Sequence, residues 1–312
     1  MRTLICGSMA YDTIMVFQDQ FKKHILPEQI HILNVAFLVP EMRREFGGCA
    51  GNIAYNLSLL GAEPLIMATV GDDFSSYASH LEKLGLAQTH IRPIPGSYTG
   101  QAFITTDLDD NQITAFHPGA MNFSEQNHIS DAQQVSLGIV SPDGRAGMLQ
   151  HAREFHEAGI RWVFDPGQGI PMFSGEELLH LIALADYVTT NDYEAQLLQD
   201  KTGTKIEQLA KGKRAFIITR GGEGSTIYAD GQQIVIPSAK PSALIDPTGC
   251  GDAYRAGLLH GIQQGWDWQT TGRLAALLGA IKIASRGGQN HAPTRDELKT
   301  QFRHHFGFAL PL

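Results

Sequence analysis

The chain has 312 residues, and its 24 lysines and arginines against 32 aspartates and glutamates give a formal net charge of −8. This acidic balance argues against a broad surface for a nucleic-acid polymer or an anionic membrane, although local backbone dipoles can still bind a small anion. Three cysteines without a CxxC pair indicate a reducing, cytoplasmic setting, and no apolar run approaches the roughly 20 residues of a membrane span.

The predicted elements alternate between strands and helices along most of the chain. Short apolar runs predict strands over residues 3–6, 65–70, 135–141, 161–165, 187–190, 215–219 and 225–229. Apolar residues at helical spacing predict helices over residues 51–60, 74–84, 148–158, 251–263 and 268–285, and Ser174 begins another. This order is typical of a parallel sheet that is covered by helices.

Two stretches break this alternation. Residues 13–45 mix apolar and charged side chains around two prolines, and residues 99–121 alternate around Asp109-Asp110-Asn111, which is a hairpin signal. We interpret both stretches as strands of a small accessory sheet.

Glycine is the compositional outlier, with 33 residues against a usual frequency of about 7%. The first glycine-bearing segment is Gly47-Gly48-Cys49-Ala50-Gly51-Asn52, which leads into a predicted helix. Small residues there let a ligand approach the backbone at a helix N-terminus, where N–H donors are unpaired. A tight turn with close helix packing explains the segment equally well.

The second candidate segment, Asn191-Asp192-Tyr193-Glu194, follows a predicted strand. The simpler interpretation is a helix cap, with Asn191 at the N-cap and Glu194 at N3. The alternative places both side chains at the carboxyl end of a parallel strand, where open α/β sheets bind ligands. A glutamate at that place could hold Mg²⁺ through its waters.

The third segment, Thr219-Arg220-Gly221-Gly222-Glu223-Gly224, runs from a predicted strand into three glycines. It is either a plain β-turn between two strands or backbone that wraps a nucleotide.

The fourth segment, from Asp246 to Gly257, carries the sharpest signal. Successive N–H groups from Gly249 to Asp252 at a helix N-terminus would form a concave anion site. A carboxylate at position 252 would be repelled there unless it acts as a general base beside a phosphoryl group. The structural alternative is a first-turn acid that the helix dipole favours.

Taken in order, these segments resemble the ribokinase-like carbohydrate and nucleoside kinases, the PfkB family, over nearly the whole chain. Residues 47–61 resemble the N-terminal signature, residues 246–257 the C-terminal signature, and Asn191 with Glu194 the NxxE motif. Two positions depart from the usual C-terminal signature, Pro247 in place of threonine and Cys250 in place of alanine. Within the family, residues 13–52 look most like bacterial adenosine and related nucleoside kinases.

The resemblance implies an α/β fold, with a doubly wound, mostly parallel sheet, helices on both faces and a small β lid. Residues 1–12, 46–98 and 122–312 would form the nucleotide-binding and catalytic domain, and residues 13–45 and 99–121 the substrate lid. ATP and Mg²⁺ are the implied cofactors. Activation by a monovalent cation such as K⁺ occurs in many of these kinases, and residues 286–291 fall in the region expected for adenine and cation contacts.

The resemblance also assigns roles in phosphoryl transfer. Asp252 would be the catalytic base, with Gly249, Cys250 and Gly251 as the anion hole. The residues that would line the ATP site are Asn191, Thr219, Gly221, Gly224 and Gly251, and Glu194 would bind Mg²⁺ through water.

On the substrate side, Asp12, Gly48 and Asn52 would hold sugar hydroxyls. Phe103 and Phe116 are candidates to stack on a purine, although both could simply pack the lid.

The implied reaction is ATP-dependent phosphorylation of the 5′-hydroxyl of a nucleoside, adenosine or another purine nucleoside. A free-sugar kinase such as ribokinase or fructokinase is the alternative, because Asp12 fits any vicinal diol. A nucleotide-binding regulator without turnover is disfavoured, since binding alone gives no reason for a carboxylate at position 252. A dehydrogenase is more distant, and a homodimer is left open.

Overall fold

The computed structural model describes residues 2–25, 35–109 and 111–312. Part of the predicted lid stretch, residues 26–34, and the predicted hairpin-tip residue Asp110 lie outside the described residues. No helix in the described part of the chain is long and apolar enough to cross a membrane.

Thirteen strands are described. Their bounds are β1 Arg2–Cys6, β2 Ala10–Val16, β3 Glu41–Gly47, β4 Glu63–Val70, β5 His90–Pro93, β6 Gly100–Thr106, β7 Gln112–His117, β8 Val135–Val140, β9 Trp162–Phe164, β10 Tyr187–Asn191, β11 Ala215–Thr219, β12 Ser225–Ala229 and β13 Gln232–Ile236. The α-helices of the same residues are α1 Cys49–Leu59, α2 Ser75–Lys83, α3 Arg145–Glu157, α4 Gly175–Leu184, α5 Asp192–Thr202, α6 Ile206–Leu209, α7 Cys250–Gln264, α8 Trp268–Ile283 and α9 Arg295–Phe306.

Nine strands form one large sheet in the order β13-β12-β11-β10-β9-β8-β1-β4-β5. Its pairs are parallel except at one end, where β12 lies antiparallel to both β11 and β13. Neighbouring residues of β11 pack into two different hydrophobic cores, one on each face of the sheet. Ile217 packs into the core that contains residues of α1, α7 and α8, and Phe216 and Ile218 pack into the core that contains residues of α3, α4 and α5. Both faces are therefore covered by helices, as a mainly parallel sheet requires, and the predicted fold class is confirmed.

The second sheet has four strands in the order β3-β2-β6-β7. Within it β2 and β6 are parallel, and the two outer pairs are antiparallel. We call this second sheet the lid. Its strands come from both stretches that interrupt the predicted alternation, so the interpretation as an accessory sheet is confirmed.

Four of the described strands and α-helices had no counterpart among the predicted ones: β5, β13, the four-residue helix α6 and α9. Strand β5 has only four residues and ends in Pro93. Strand β13 lies at the sheet edge and begins with two exposed glutamines. Helix α9 buries only Leu298 and Phe302, so its apolar stripe is too narrow to stand out in a polar segment.

Candidate active site

The candidate residues of the third and second segments meet at one edge of the large sheet. β10 ends at Asn191 and β11 at Thr219, and these two residues are register partners in the parallel pair. Asp165 follows the last residue of neighbouring β9. Open α/β sheets bind ligands at this carboxyl edge.

The N-terminus of α7 is left open. Gly249 is its N-cap, with a φ of 76° that glycine adopts without strain, and no side chain caps the helix. Within the described chain, the N–H groups of Gly249, Gly251 and Asp252 have no hydrogen-bond acceptor, whereas that of Cys250 donates to Pro247 O at 3.2 Å. Three free donors at the positive end of a helix dipole suit an anion.

The Cys250 side chain contributes little polarity to this loop. Its thiol lies 3.9 Å from Asp246 O, and burial raises its pKa to about 11. The thiol is therefore protonated at neutral pH and weakly nucleophilic.

Asp252 projects from the first turn of α7 and is oriented by its neighbours. Asn52 Nδ2 donates to Asp252 Oδ2 at 2.8 Å. Burial raises the pKa of Asp252, while the hydrogen bond from Asn52 and the charge of Arg255 oppose that rise. A fixed carboxylate of increased basicity next to free N–H donors is the geometry of a general base beside an anion site.

Arg255 anchors this turn of α7 to the large sheet. Its Nε and Nη2 each lie 2.7 Å from a carboxylate oxygen of Asp165, and Nη2 lies 3.8 Å from Glu194 Oε2. The pair is buried and bidentate, the strong form of an arginine–carboxylate contact. Sequence reasoning missed this role, although Arg255 stands inside the C-terminal signature, because its partner is 90 residues away.

Asn191 and Glu194 form a complete capping box at the start of α5. Asn191 Oδ1 accepts from the Glu194 N–H at 2.7 Å, and Glu194 Oε2 accepts from the Asn191 N–H at 2.8 Å. Burial raises the pKa of Glu194, and the charge of Arg255 opposes the shift. The capping interpretation is thus realised, and Glu194 Oε1 has no hydrogen bond with any described residue.

The third segment forms a tight connection between the antiparallel strands β11 and β12. Gly224 packs so closely that a Cβ there would lie 2.1 Å from Ile236 O, whereas a Cβ on Gly221 would meet nothing within 4 Å. Thr219 Oγ1 makes only a long contact of 3.4 Å with Thr190 O. Gly221 therefore has free space beside it at the sheet edge, whereas close packing explains the glycine at position 224.

Asp12 lies on lid strand β2, beside Gly47 on β3. A Cβ at position 47 would lie 2.4 Å from Asp12 Oδ2, so glycine makes room for the carboxylate. Burial, followed by the charges of Asp252, Asp246 and Glu45, raises the pKa of Asp12 to about 6. The carboxylate has no hydrogen-bond donor among the described residues, which leaves it available to ligand hydroxyls.

Gly48 and Asn52 are both engaged by the protein itself. Gly48 has a φ of 86°, and a Cβ there would lie 2.5 Å from Ser8 O, so the close-packing interpretation accounts for this glycine. Asn52 is 3% exposed, and its Oδ1 accepts from Gln289 Nε2 at 3.0 Å. In this structure Asn52 orients Asp252.

The pairing of the lid strands places the two candidate phenylalanines on opposite faces of the lid. Asp12 is paired with Ala102, and Ala102 with Phe116, so Asp12 and Phe116 share one face. Phe103 is paired with Thr13 and lies on the opposite face. The expectation that Phe103 stacks on the same ligand as Phe116 is therefore corrected: Phe116 lies on the face of the lid that carries Asp12, and Phe103 on the opposite, outer face.

Contacts between the lid and two loops, the one that begins at Asp246 and the one of residues 286–291, were also missed. Asn290 Nδ2 donates to Glu45 Oε2 at 2.8 Å, and Arg43 Nη2 lies 4.0 Å from Asp246 Oδ2. The only local signal was the charged run before Gly47, because the partners are some 200 residues apart. These contacts join β3 of the lid to Asp246, in the loop that leads into α7, and to Asn290.

Comparisons with known proteins identify the family of the chain. Residues 9–295 match the family described as pfkB family carbohydrate kinase. The nucleoside kinase of Methanothermobacter thermautotrophicus is 31% identical over 317 residues, covering 99% of this chain and 98% of the relative. The solved structure of Burkholderia thailandensis nucleoside kinase in complex with inosine is 52% identical, with a TM-score of 0.91, covering 98% of this chain and 99% of that one. A structure of that kinase in complex with ADP-inosine is 53% identical, with a TM-score of 0.89, covering 99% and 97%.

Proposed function

The chain belongs to the pfkB family of carbohydrate kinases, and from this premise we propose that it phosphorylates the 5′-hydroxyl of a purine nucleoside such as adenosine or inosine. It is an ATP-dependent kinase with an alcohol group as acceptor. One observation carries the assignment of the site: three free N–H donors stand beside the oriented carboxylate of Asp252 at the start of α7.

In the proposed reaction, Asp252 accepts the proton of the acceptor hydroxyl. The hydroxyl oxygen forms a bond to the γ-phosphorus of ATP, and the bond from that phosphorus to the bridging oxygen breaks to release ADP. The N–H groups of Gly249, Gly251 and Asp252 stabilise the charge on the transferring group, because they are already aligned before reaction. Cys250 contributes backbone to the same loop.

Mg²⁺ fits this site through Glu194. No three His, Cys, Asp or Glu side chains form a ready metal site within residues 2–25, 35–109 and 111–312, so most ligands would come from ATP phosphates and water. Glu194 Oε1 would hold such a water, as Mg²⁺ prefers to keep several of its own. When bound, the ion neutralises phosphate charge.

ATP would extend from α7 along the carboxyl edge of the sheet. Asn191, Thr219, Gly221, Gly224 and Gly251 would line its phosphates and ribose. We place the adenine in the open groove between residues 240–242, the C-terminal half of α8 and residues 290–293, whose wall includes the apolar residues Leu277, Ala280 and Ile281.

The nucleoside would lie between α7 and the lid. Asp12 would accept hydrogen bonds from the two ribose hydroxyls, with Gly48 and Asn52 beside it. Phe116 shares the lid face of Asp12 and would stack on the base. Support for a nucleoside over a free sugar comes from the 52% identical kinase, whose structure contains inosine.

An acceptor panel tests this proposal. ADP release would be measured with adenosine, inosine, cytidine, ribose and fructose at equal ATP and Mg²⁺. We expect kcat/KM for a purine nucleoside to exceed that for ribose by at least about 100-fold, because the base adds contacts that ribose lacks. Preferred turnover of ribose or fructose would assign the alternative, a free-sugar kinase.

A second copy of the chain is the proposed partner, at the outer face of the lid. Met42, Phe103 and Ile113 lie on that face and are 70%, 40% and 44% exposed. Exposed apolar side chains on one face are typical of an interface. Light scattering of the wild type and of Phe103→Ser would test the dimer, which the substitution should weaken.

A cytoplasmic location is also proposed. Its support is that Cys6, Cys49 and Cys250 are all free thiols, as expected in a reducing compartment. Fractionation of the native cells, followed by immunoblotting, would test the location.

A further inference from the structure

Lys282 is a buried cation that the reaction described above does not use. It lies near the end of α8, and its side chain is 0% exposed. Its Nζ donates to Asp246 O at 2.7 Å and to Ser285 O at 3.1 Å. No carboxylate in the described part of the chain forms a salt bridge with it, so a buried ammonium is held by main-chain carbonyls, an arrangement that costs desolvation energy.

The two carbonyls belong to the loops that border the anion site. Asp246 begins the loop that leads into α7, and Ser285 precedes the loop of residues 286–291. The Asp246 carboxylate joins the same loops, because its Oδ1 accepts from the Thr248 N–H and its Oδ2 from the Gly287 N–H, each at 2.9 Å. Lys282 thus closes a network that fixes one loop against the other.

This network reaches the catalytic groups in two ways. Gly249 packs against Gly288, since a Cβ on Gly249 would lie 3.2 Å from Gly288 Cα. Gln289 in the same loop donates to Asn52, which donates to Asp252. A shift of the 286–291 loop would therefore move both the anion site and the proposed base.

The two carbonyl oxygens that contact the Lys282 ammonium indicate which ion could bind in its place. Carbonyl oxygens that converge on a buried point are ligands for a monovalent cation such as K⁺. Here a covalently attached ammonium already occupies that point, and it cannot dissociate or be exchanged.

We propose that Lys282 is a positioning residue whose ammonium serves as a built-in cation for the anion site, so that this kinase needs no dissolved monovalent cation. The proposal rests on the proposed function for the identity of the anion site, but not on which acceptor is used.

The first test uses the wild-type enzyme. Initial rates would be compared in tetramethylammonium, sodium and potassium chloride at constant ionic strength and Mg²⁺, with whichever acceptor the enzyme turns over. We expect the three rates to agree within about 2-fold, because the charge is already in place. Saturable activation by K⁺ of about 10-fold or more would overturn the proposal.

Absence of turnover with every acceptor would count against the proposed function alone. The same salts would then be compared on the affinity for ADP with fluoroaluminate, a mimic of the transferring phosphoryl group. Equal affinities in all three support the proposal, and an affinity that depends on K⁺ contradicts it.

The second test removes the ammonium by Lys282→Ala. We expect kcat to fall about 10- to 100-fold, with the KM for the acceptor within about 3-fold, since misplacement of catalytic groups mainly affects the chemical step. Ammonium, methylammonium or K⁺ should restore part of that loss by entering the vacated space. Lys282→Met fills the space without charge and should be slow and insensitive to cations, whereas Lys211→Ala, at an exposed lysine, should behave as wild type.

A Lys282→Ala enzyme with kcat within 2-fold of wild type, or with a low kcat that no cation improves, would show that the charge does not position the site. Circular dichroism would verify folding of each variant, and if Lys282→Ala does not fold, the wild-type salt comparison decides.

Discussion

Helices α5 and α7 begin at the same edge of the large sheet, but their first turns are closed differently. α5 is completed by its own side chains, because Asn191 and Glu194 each accept an N–H of the other. α7 begins with Gly249 and has no side-chain cap. One helix end is satisfied without a ligand, and the other has three N–H donors without an acceptor among the described residues.

The two helix ends differ in what can complete them. A side-chain cap stabilises a helix by about 1 kcal/mol, and α1, α2, α3 and α6 lack one as α7 does. What sets α7 apart is that Asn52 holds the Asp252 carboxylate in the same turn as the free N–H donors, and we propose that the transferring phosphoryl group takes the place of the cap. Substitutions at the two helix ends should therefore have different consequences.

Asp252→Asn should have the largest effect. It keeps the shape and an acceptor for Asn52 but removes the proton acceptor, so kcat should fall about 10²- to 10⁴-fold. Steady-state kinetics with a purine nucleoside would measure the loss, and ADP affinity and the melting temperature would serve as controls. Near-normal turnover would exclude Asp252 as the general base.

Gly249→Ala should have the next largest effect. The φ of 76° costs a residue with a side chain about 1–2 kcal/mol, and the Cβ would press on Gly288. We expect kcat to fall about 10- to 100-fold. Gly265→Ala at the other end of α7 is a matched control, because its φ is 69° and a Cβ there meets nothing within 4 Å. Equal kinetic losses in the two variants would mean that strain, and not the anion site, is responsible.

Asp12→Asn should act on substrate binding. It should raise the KM for the nucleoside about 10-fold, because charge-assisted hydrogen bonds to the ribose are lost. Binding of a 2′,3′-dideoxynucleoside should be unchanged. A similar loss for both ligands would place the ribose elsewhere.

The pKa of Asp12 adds a pH test. It is about 6 in the folded protein against 3.8 for an ordinary aspartate, so the ligand-free folded state binds a proton more readily than the unfolded chain. Ionised Asp12 thus destabilises the ligand-free protein above about pH 6, and the penalty disappears below about pH 4. Asp12→Asn should raise the melting temperature by a few degrees at pH 7 and not at pH 4. The wild-type KM should rise as the pH falls through 6.

Glu194→Gln should have the smallest effect. Glutamine can keep the cap but lacks the charge, so the Mg²⁺ concentration for half-maximal activity should rise about 3- to 10-fold with an unchanged melting temperature. Glu177→Gln is the control, because Glu177 forms the same capping box with Ser174 at α4. If the Mg²⁺ dependence of Glu194→Gln is unchanged, Glu194 caps the helix and does not bind Mg²⁺.

The large sheet was predictable from sequence because its strands are buried on both faces and appear as continuous apolar runs. The second sheet was predictable because residues 13–45 and 99–121 interrupt the alternation of apolar strands and helices. Strands β5 and β13 were not, since short edge strands bury too little to differ from loops.

The site was predictable where its chemistry is local. The glycines and Asp252 at the start of α7 stand within a few residues of each other, as do Asn191 and Glu194. Lys282 and Arg255 were missed because their partners are distant in sequence, and the face of Phe103 was set by strand register, which the pattern of residues 99–121 did not define.

A crystal structure with ADP, fluoroaluminate, Mg²⁺ and a purine nucleoside would show whether the N-terminus of α7 holds the transferring phosphoryl group. We expect the planar fluoroaluminate within about 2.7–3.2 Å of the N–H groups of Gly249, Gly251 and Asp252, with the nucleoside 5′-oxygen at hydrogen-bond distance from the Asp252 carboxylate. A planar group bound away from α7, or a 5′-oxygen out of reach of Asp252, would contradict this expectation.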